Sequence, residues 1–192
     1  MHYKQLIYFL VLPLIFVSYA LQGAELKVEA LKHLVSSLVH IAKYHKQDSS
    51  KAVPLIAIGG CPGVGKTYLT KNLLLELQEN GVNCVILSLD HFNLSPEERK
   101  KIGTEWDMRH FKAMELHNCL ASIFSGEKHV KKPTCNQLTG EIGAEFLELD
   151  NIDLILFDGL YALCSEPPLN FFDYCVMGVF LEANESDIYS WK

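Results

Sequence analysis

The chain has 192 residues, 49% of them hydrophobic and 21% charged, a composition that suits one globular domain with a sizeable core and excludes a disordered polymer. Its 23 acidic against 17 basic side chains leave a net charge of −6, so no general attraction to nucleic acid is expected. The cysteines at 61, 84, 119, 135, 164 and 175 form no CxxC and no Cys/His zinc spacing, and are read as reduced, small apolar residues.

Residues 1–24 read as a targeting segment. His2 and Lys4 precede the apolar run Leu6–Val17, and Ser18-Tyr19-Ala20 resembles a small-residue cleavage site. Three readings stand side by side. One is a cleaved signal peptide. Another is an anchor associating with a membrane through residues 6–21, barely long enough to span at about 17 residues, with Lys27, Lys32 and Lys43 holding the remaining chain on the cytoplasmic side. The third is a mis-assigned start, with the protein beginning near Glu25. The expected organisation is thus a leader at 1–24, an N-terminal helix and linker at 25–52, and a cytoplasmic catalytic domain at 53–192.

Ala24–His45 has the period of an amphipathic helix, with Leu31, Leu34, Val35, Leu38, Ile41 and Ala42 on one face. A polar linker, Gln47–Lys51, leads to Val53–Ile58, an apolar run suited to a buried parallel strand. A glycine-rich loop follows, then a helix over Thr67–Asn80 stopped by Gly81. Asn83–Leu89 is expected as a second buried strand. Ser95-Pro96-Glu97-Glu98 is a helix start with a capping box and proline in the first turn. Phe111–Phe124 is expected to be helical up to Gly126, Glu145–Leu149 a strand, Leu154–Phe157 a third buried strand and Cys175–Leu181 a fourth, with a helix beginning at Glu182–Lys192. Alternating strands and helices imply an α/β fold, a mainly parallel sheet covered on both faces as a three-layer sandwich. Ligands of such sheets sit beyond the carboxyl ends of the strands. The loop after Ile58, Asp90 after the second strand and Asp158 after the third all fall there.

The loop is Gly60-Cys61-Pro62-Gly63-Val64-Gly65-Lys66-Thr67, a complete Walker A sequence of P-loop NTPases. A polyphosphate needs converging backbone N–H groups with no side chains in the way, and Gly60, Gly63 and Gly65 meet that need. The following helix turns its positive end to the anion. Lys66 can reach the β and γ phosphates, and the Thr67 hydroxyl can hold Mg²⁺. Asp158, closing an apolar strand, suits the metal's surroundings or a turn cap. Asp90 suits a base that takes the proton of an attacking hydroxyl, or a cap of the turn before Asn93. Asp107, in a polar loop, is read evenly as a ligand of substrate hydroxyls or as the cap of the helix Phe111–Phe124. His91, His110, His117 and His129 have no metal spacing and receive no role. Trp106 is read as packing.

From Leu55 onward these residues resemble the uridine kinase, phosphoribulokinase and pantothenate kinase branch of P-loop kinases. Ile56-Ala57-Ile58-Gly59-Gly60 through Thr67 looks like its opening strand and loop. Leu87-Ser88-Leu89-Asp90-His91-Phe92 is similar to the segment with its catalytic Asp, Trp106-Asp107 to the Phe-Asp whose acid binds ribose, and Phe157-Asp158-Gly159 to its Glu-Gly segment with Asp in place of Glu. The resemblance implies an ATP- and Mg²⁺-dependent phosphotransferase acting on a small-molecule hydroxyl. Uridine or another nucleoside is the first expected acceptor, and pantothenate or a sugar acid the next. Three departures accompany it. Lys132-Pro133-Thr134-Cys135-Asn136 has Cys135 where uridine kinases stack an aromatic ring. The helix before the loop is more like that of sugar-acid and pantothenate kinases. The family's Arg-bearing lid helix would begin at Trp191-Lys192, where the sequence stops, so truncation or loss of the lid is expected. A lidless nucleotide-binding remnant is the alternative from another class, and a switch-type NTPase a third.

Overall fold

The computed structural model describes residues 28–47, 52–103, 107–136, 139–183 and 188. The leader expected at 1–24, Trp106 and most of the helix expected over 182–192 lie outside them. The elements are α1 (Val28–Lys46), β1 (Leu55–Gly60), α2 (Lys66–Glu79), β2 (Cys84–Ser88), α3 (Pro96–Ile102), α4 (Ala113–Phe124), β3 (His129–Cys135), β4 (Ile142–Glu148), β5 (Leu154–Asp158) and β6 (Met177–Leu181). Among the described residues no helix is long and apolar enough to cross a membrane.

Four strands form a sheet in the order β2-β5-β1-β6, every pair parallel. β1 and β5 are buried along their whole length, which is why they read as unbroken apolar runs. Their alternation divides the core in two. Ile56, Ile58, Leu154 and Leu156 face α1 and α2, meeting Leu34, Leu38 and Ile41 of α1 and Leu69, Leu73 and Leu77 of α2. Leu55, Ala57, Ile155 and Phe157 face the other way, against Leu116, Cys119, Leu120 and Ile123 of α4. The result is the three-layer α/β/α sandwich of a P-loop NTPase. The α1 stripe expected from periodicity is the stripe that packs.

Two local expectations change. Phe111 does not begin α4; it pairs as an isolated bridge with Asn93, and α4 starts at Ala113. The strand expected near Glu145–Leu149 is β4, and it pairs antiparallel with β3, a strand not anticipated at all. Pro133 and the charges of His129–Lys132 hid it. As part of an isolated two-stranded hairpin, β3 can hold a proline without interrupting a larger sheet. All six cysteines are free, with Cys84, Cys119 and Cys135 buried as small apolar residues and Cys61 exposed on the loop.

Candidate active site

β1 ends in Gly60 at φ 148, a conformation L side chains rarely adopt, and a Cβ there would strike the carbonyl oxygen of Leu181 on β6. Glycine therefore lets the chain leave the sheet while touching its neighbour. Val64 is fully buried and pins the far side of the loop, and its N–H donates to the Cys61 carbonyl at 3.3 Å. Gly65, left-handed at φ 92, caps α2, and no side chain caps that helix. Its first amides thus remain directed at the loop, with the positive end of the helix behind them.

Lys66 folds back over this loop, its Nζ donating to the carbonyls of Gly60 and Cys61 at 2.9 Å each. Burial lowers its pKa, against the pull of Asp158 and Asp90. Asp158 ends β5. The register sets it abreast of Ile58 on β1 and of Ser88 on β2, so the sheet itself carries it between the loop and Asp90. It is only 6% exposed. Thr67 donates from Oγ1 to its Oδ2 at 3.4 Å, while its Oδ1 is buried with no hydrogen-bond partner. Burial pushes its pKa up to about 6, with Lys66 opposing and Asp90 reinforcing the rise.

Asp90 lies in a 3-10 turn, Leu89–Phe92, whose cap is Ser88: its side chain accepts from the Asp90 amide at 3.3 Å. Capping thus falls to Ser88 and not to Asp90. The Asp90 carboxylate accepts a long bond of 3.5 Å from Asn93 Nδ2. A cavity of about 390 Å³ is lined by Pro62, Gly63, Gly65, Lys66, Thr67, Asp90 and Asp158. Cys61 and Val64 shape the loop from outside that lining. Asp107 accepts from the Arg109 amide at 2.8 Å and from the Arg109 guanidinium at 2.6 and 2.9 Å. It caps the short turn Met108–His110, not the helix Ala113–Phe124. It is nonetheless close enough to Tyr161, three residues past Asp158, to raise the phenol's pKa after burial has done so.

An unpaired buried carboxylate oxygen beside a threonine hydroxyl is a set of hard oxygen donors with an unmet demand for a cation, and it fits Mg²⁺. Sequence spacing missed two clusters. Lys132, buried on β3, has its Nζ 2.8 Å from His91 Nδ1 and bonded to the Glu145 carboxylate. His129 meets Glu148 and Asp150 at the hairpin's open end. The alternation Val130-x-Lys132 of a strand with one buried face was the available signal, visible only once β3 is recognised. Cys135, at the end of that strand, is buried.

Comparison with known proteins agrees with this architecture. A family model described as chromatin associated protein KTI12 matches residues 53–122, well under half of the chain. No curated protein matches. Among solved structures, the chain is similar to a candidate fructose transport system kinase from Silicibacter sp. TM1040, with TM-score 0.67, 18% identity, and 81% of this chain and 78% of that one covered. It is similar to a candidate uridine kinase from Bacillus stearothermophilus, with TM-score 0.64, 16% identity, and coverages of 83% and 85%. It also resembles D-glycerate 3-kinase from Cryptococcus neoformans, with TM-score 0.52, 18% identity, and coverages of 67% and 51%. At such identities the likeness is one of fold.

Proposed function

We propose that residues 53–192 form an ATP- and Mg²⁺-dependent phosphotransferase domain that phosphorylates a hydroxyl of a small molecule in the cytoplasm. The observation that carries this reading is the single cavity shared by the loop, Lys66, Thr67, Asp90 and Asp158. Residues suited to binding phosphate, to holding a metal and to taking a proton line it together. A protein that only bound a nucleotide would have no use for the last of these.

In this reading the amides between Gly60 and Thr67 hold the triphosphate. Lys66 leaves the carbonyls of Gly60 and Cys61 to bind phosphate oxygens, exchanging neutral acceptors for charged ones. Thr67 and Asp158 hold the metal, which when bound neutralises charge on the transferring group. As the bond from the γ-phosphorus to the ADP oxygen breaks and a bond to the acceptor oxygen forms, Asp90 takes the acceptor's proton. Asp107 is assigned to acceptor hydroxyls, through oxygens it already turns to Arg109.

A nucleoside such as uridine is the first acceptor to test, and pantothenate or a sugar acid the next. The names of two similar structures, which speak of uridine and D-glycerate, support the nucleoside and sugar-acid classes, and a third, which speaks of fructose, adds hexoses to the acceptors to test.

The test is ADP release from Mg-ATP over a panel of nucleosides, hexoses, pantothenate and glycerate, with product identified by mass. Turnover with one acceptor class is expected. Asp90→Asn should reduce kcat by about 10²–10⁴ while Mg-ATP still binds, and Lys66→Ala should abolish binding. Binding without transfer to any acceptor would assign a nucleotide-binding remnant instead. ATP loss without a phosphorylated acceptor would assign a switch-type NTPase. No binding at all, with Lys66→Ala indifferent, would overturn the reading.

A further inference from the structure

His91 directly follows Asp90 in the turn Leu89–Phe92 and is half-buried. The β3–β4 hairpin packs against that turn. It brings Lys132, 3% exposed, to within 2.8 Å of His91 Nδ1. The same ammonium is bonded to Glu145, its cross-strand partner on β4. Burying an ammonium costs several kcal/mol unless a counter-charge and hydrogen bonds compensate it, and Glu145 supplies the counter-charge. A side chain needed there only for packing would not require the charge.

An ammonium has donors and no acceptor. The ring nitrogen facing it must therefore offer a lone pair. Opposite a charged Lys132, this contact suits a neutral His91 with Nδ1 bare and its proton on Nε2. Burial and the Lys132 charge both lower the ring's pKa, outweighing Glu145 and Asp90, which raise it. Lys132, Glu145 and Asp90 are the charged groups acting on the ring. Neutrality matters beside a base. An imidazolium next to Asp90 would stabilise the carboxylate and weaken it as a proton acceptor, whereas a neutral ring leaves it basic.

We propose that Lys132 locks His91 as the Nε2–H tautomer, and that His91 uses this N–H to donate a hydrogen bond to an oxygen of the phosphate acceptor held at Asp90. Lys132 is then a positioning residue and His91 a specificity-determining one. The inference rests on the phosphotransferase reading above.

The test combines ¹⁵N NMR of the His91 imidazole in the full-length protein with steady-state kinetics. At pH 7.5 the native ring is expected to show a protonated Nε2 and a bare Nδ1. Lys132→Met should give a tautomer mixture and a higher ring pKa. Lys132→Gln, which keeps an N–H donor without the charge, should restore the native tautomer and serves as the control for folding. His91→Phe should raise the acceptor KM about tenfold, the scale of one lost hydrogen bond, and Lys132→Met should raise it several-fold, with the KM for ATP unchanged in both. A native ring protonated at Nδ1, or at both nitrogens, overturns the lock. An unchanged acceptor KM in His91→Phe overturns the contact. Failure of the phosphotransferase reading shows separately, as absent Mg-ATP binding or absent transfer by the native protein, neither of which alters the imidazole spectrum.

Discussion

Asp158, the residue proposed above to hold the metal, shows at the scale of one residue what burial does to a carboxyl group. Its carboxyl is buried and its pKa stands at about 6, above the ordinary value of 3.8, chiefly through burial. A raised native pKa means that the folded protein binds this proton more tightly than the unfolded chain. The stabilisation so gained is present at low pH and is lost as pH rises from about 4 through 6. Asp158→Asn should therefore make the metal-free protein more stable than native at pH 7.5, by on the order of 2–3 kcal/mol at most. The difference should vanish below pH 4, and urea unfolding at several pH values without Mg²⁺ measures it. A variant no more stable than native at pH 7.5 would mean that Asp158 Oδ1 carries no unmet demand. The local chemistry was legible in the sequence here: an acid closing an apolar strand. Its missing partner was not, because that depends on which atoms surround the strand end.

At the scale of elements, Gly60 and Ser95 sit in very different contexts. Gly60→Ala would force a Cβ against the Leu181 carbonyl and into strained φ. The expected cost is more than about 1–3 kcal/mol, with loss of nucleotide binding, because β6 or the loop must move; chemical denaturation and calorimetric titration check both. Ser95 forms a capping box, its hydroxyl accepting from the Glu98 amide at 3.3 Å and Glu98 accepting from the Ser95 amide at 2.9 Å. Ser95→Ala should cost α3 about 1 kcal/mol. Since α3 buries no residue, faster hydrogen exchange within Pro96–Ile102 is expected, with little change in the global urea midpoint. A large global shift would show that α3 is part of the main cooperative unit. The box was legible because its partners are three residues apart. β3 was not legible, because its evidence is a pairing with β4 that spans the loop between them.

At the scale of the molecule, ligand binding should be felt by the whole fold, because the loop is continuous with central strand β1 and with α2. Mg-ATP at about a hundred times its Kd should add roughly 2.7 kcal/mol to stability, seen as a rise in Tm that EDTA largely removes. A Tm indifferent to Mg-ATP would argue against the site. The glycine-rich loop, the apolar strands, the α1 stripe and the Ser95 capping box can be read from the residues alone. Each depends on backbone dihedrals, periodicity or partners within a few residues, and such signals are local. Folding sets Asp158 abreast of Ser88, turns Asp107 to Arg109 instead of to α4, and brings Lys132 to a histidine 41 residues away. These follow from strand order, register and hairpin packing, which arise from chain segments meeting after long loops close, and no short stretch of sequence encodes them.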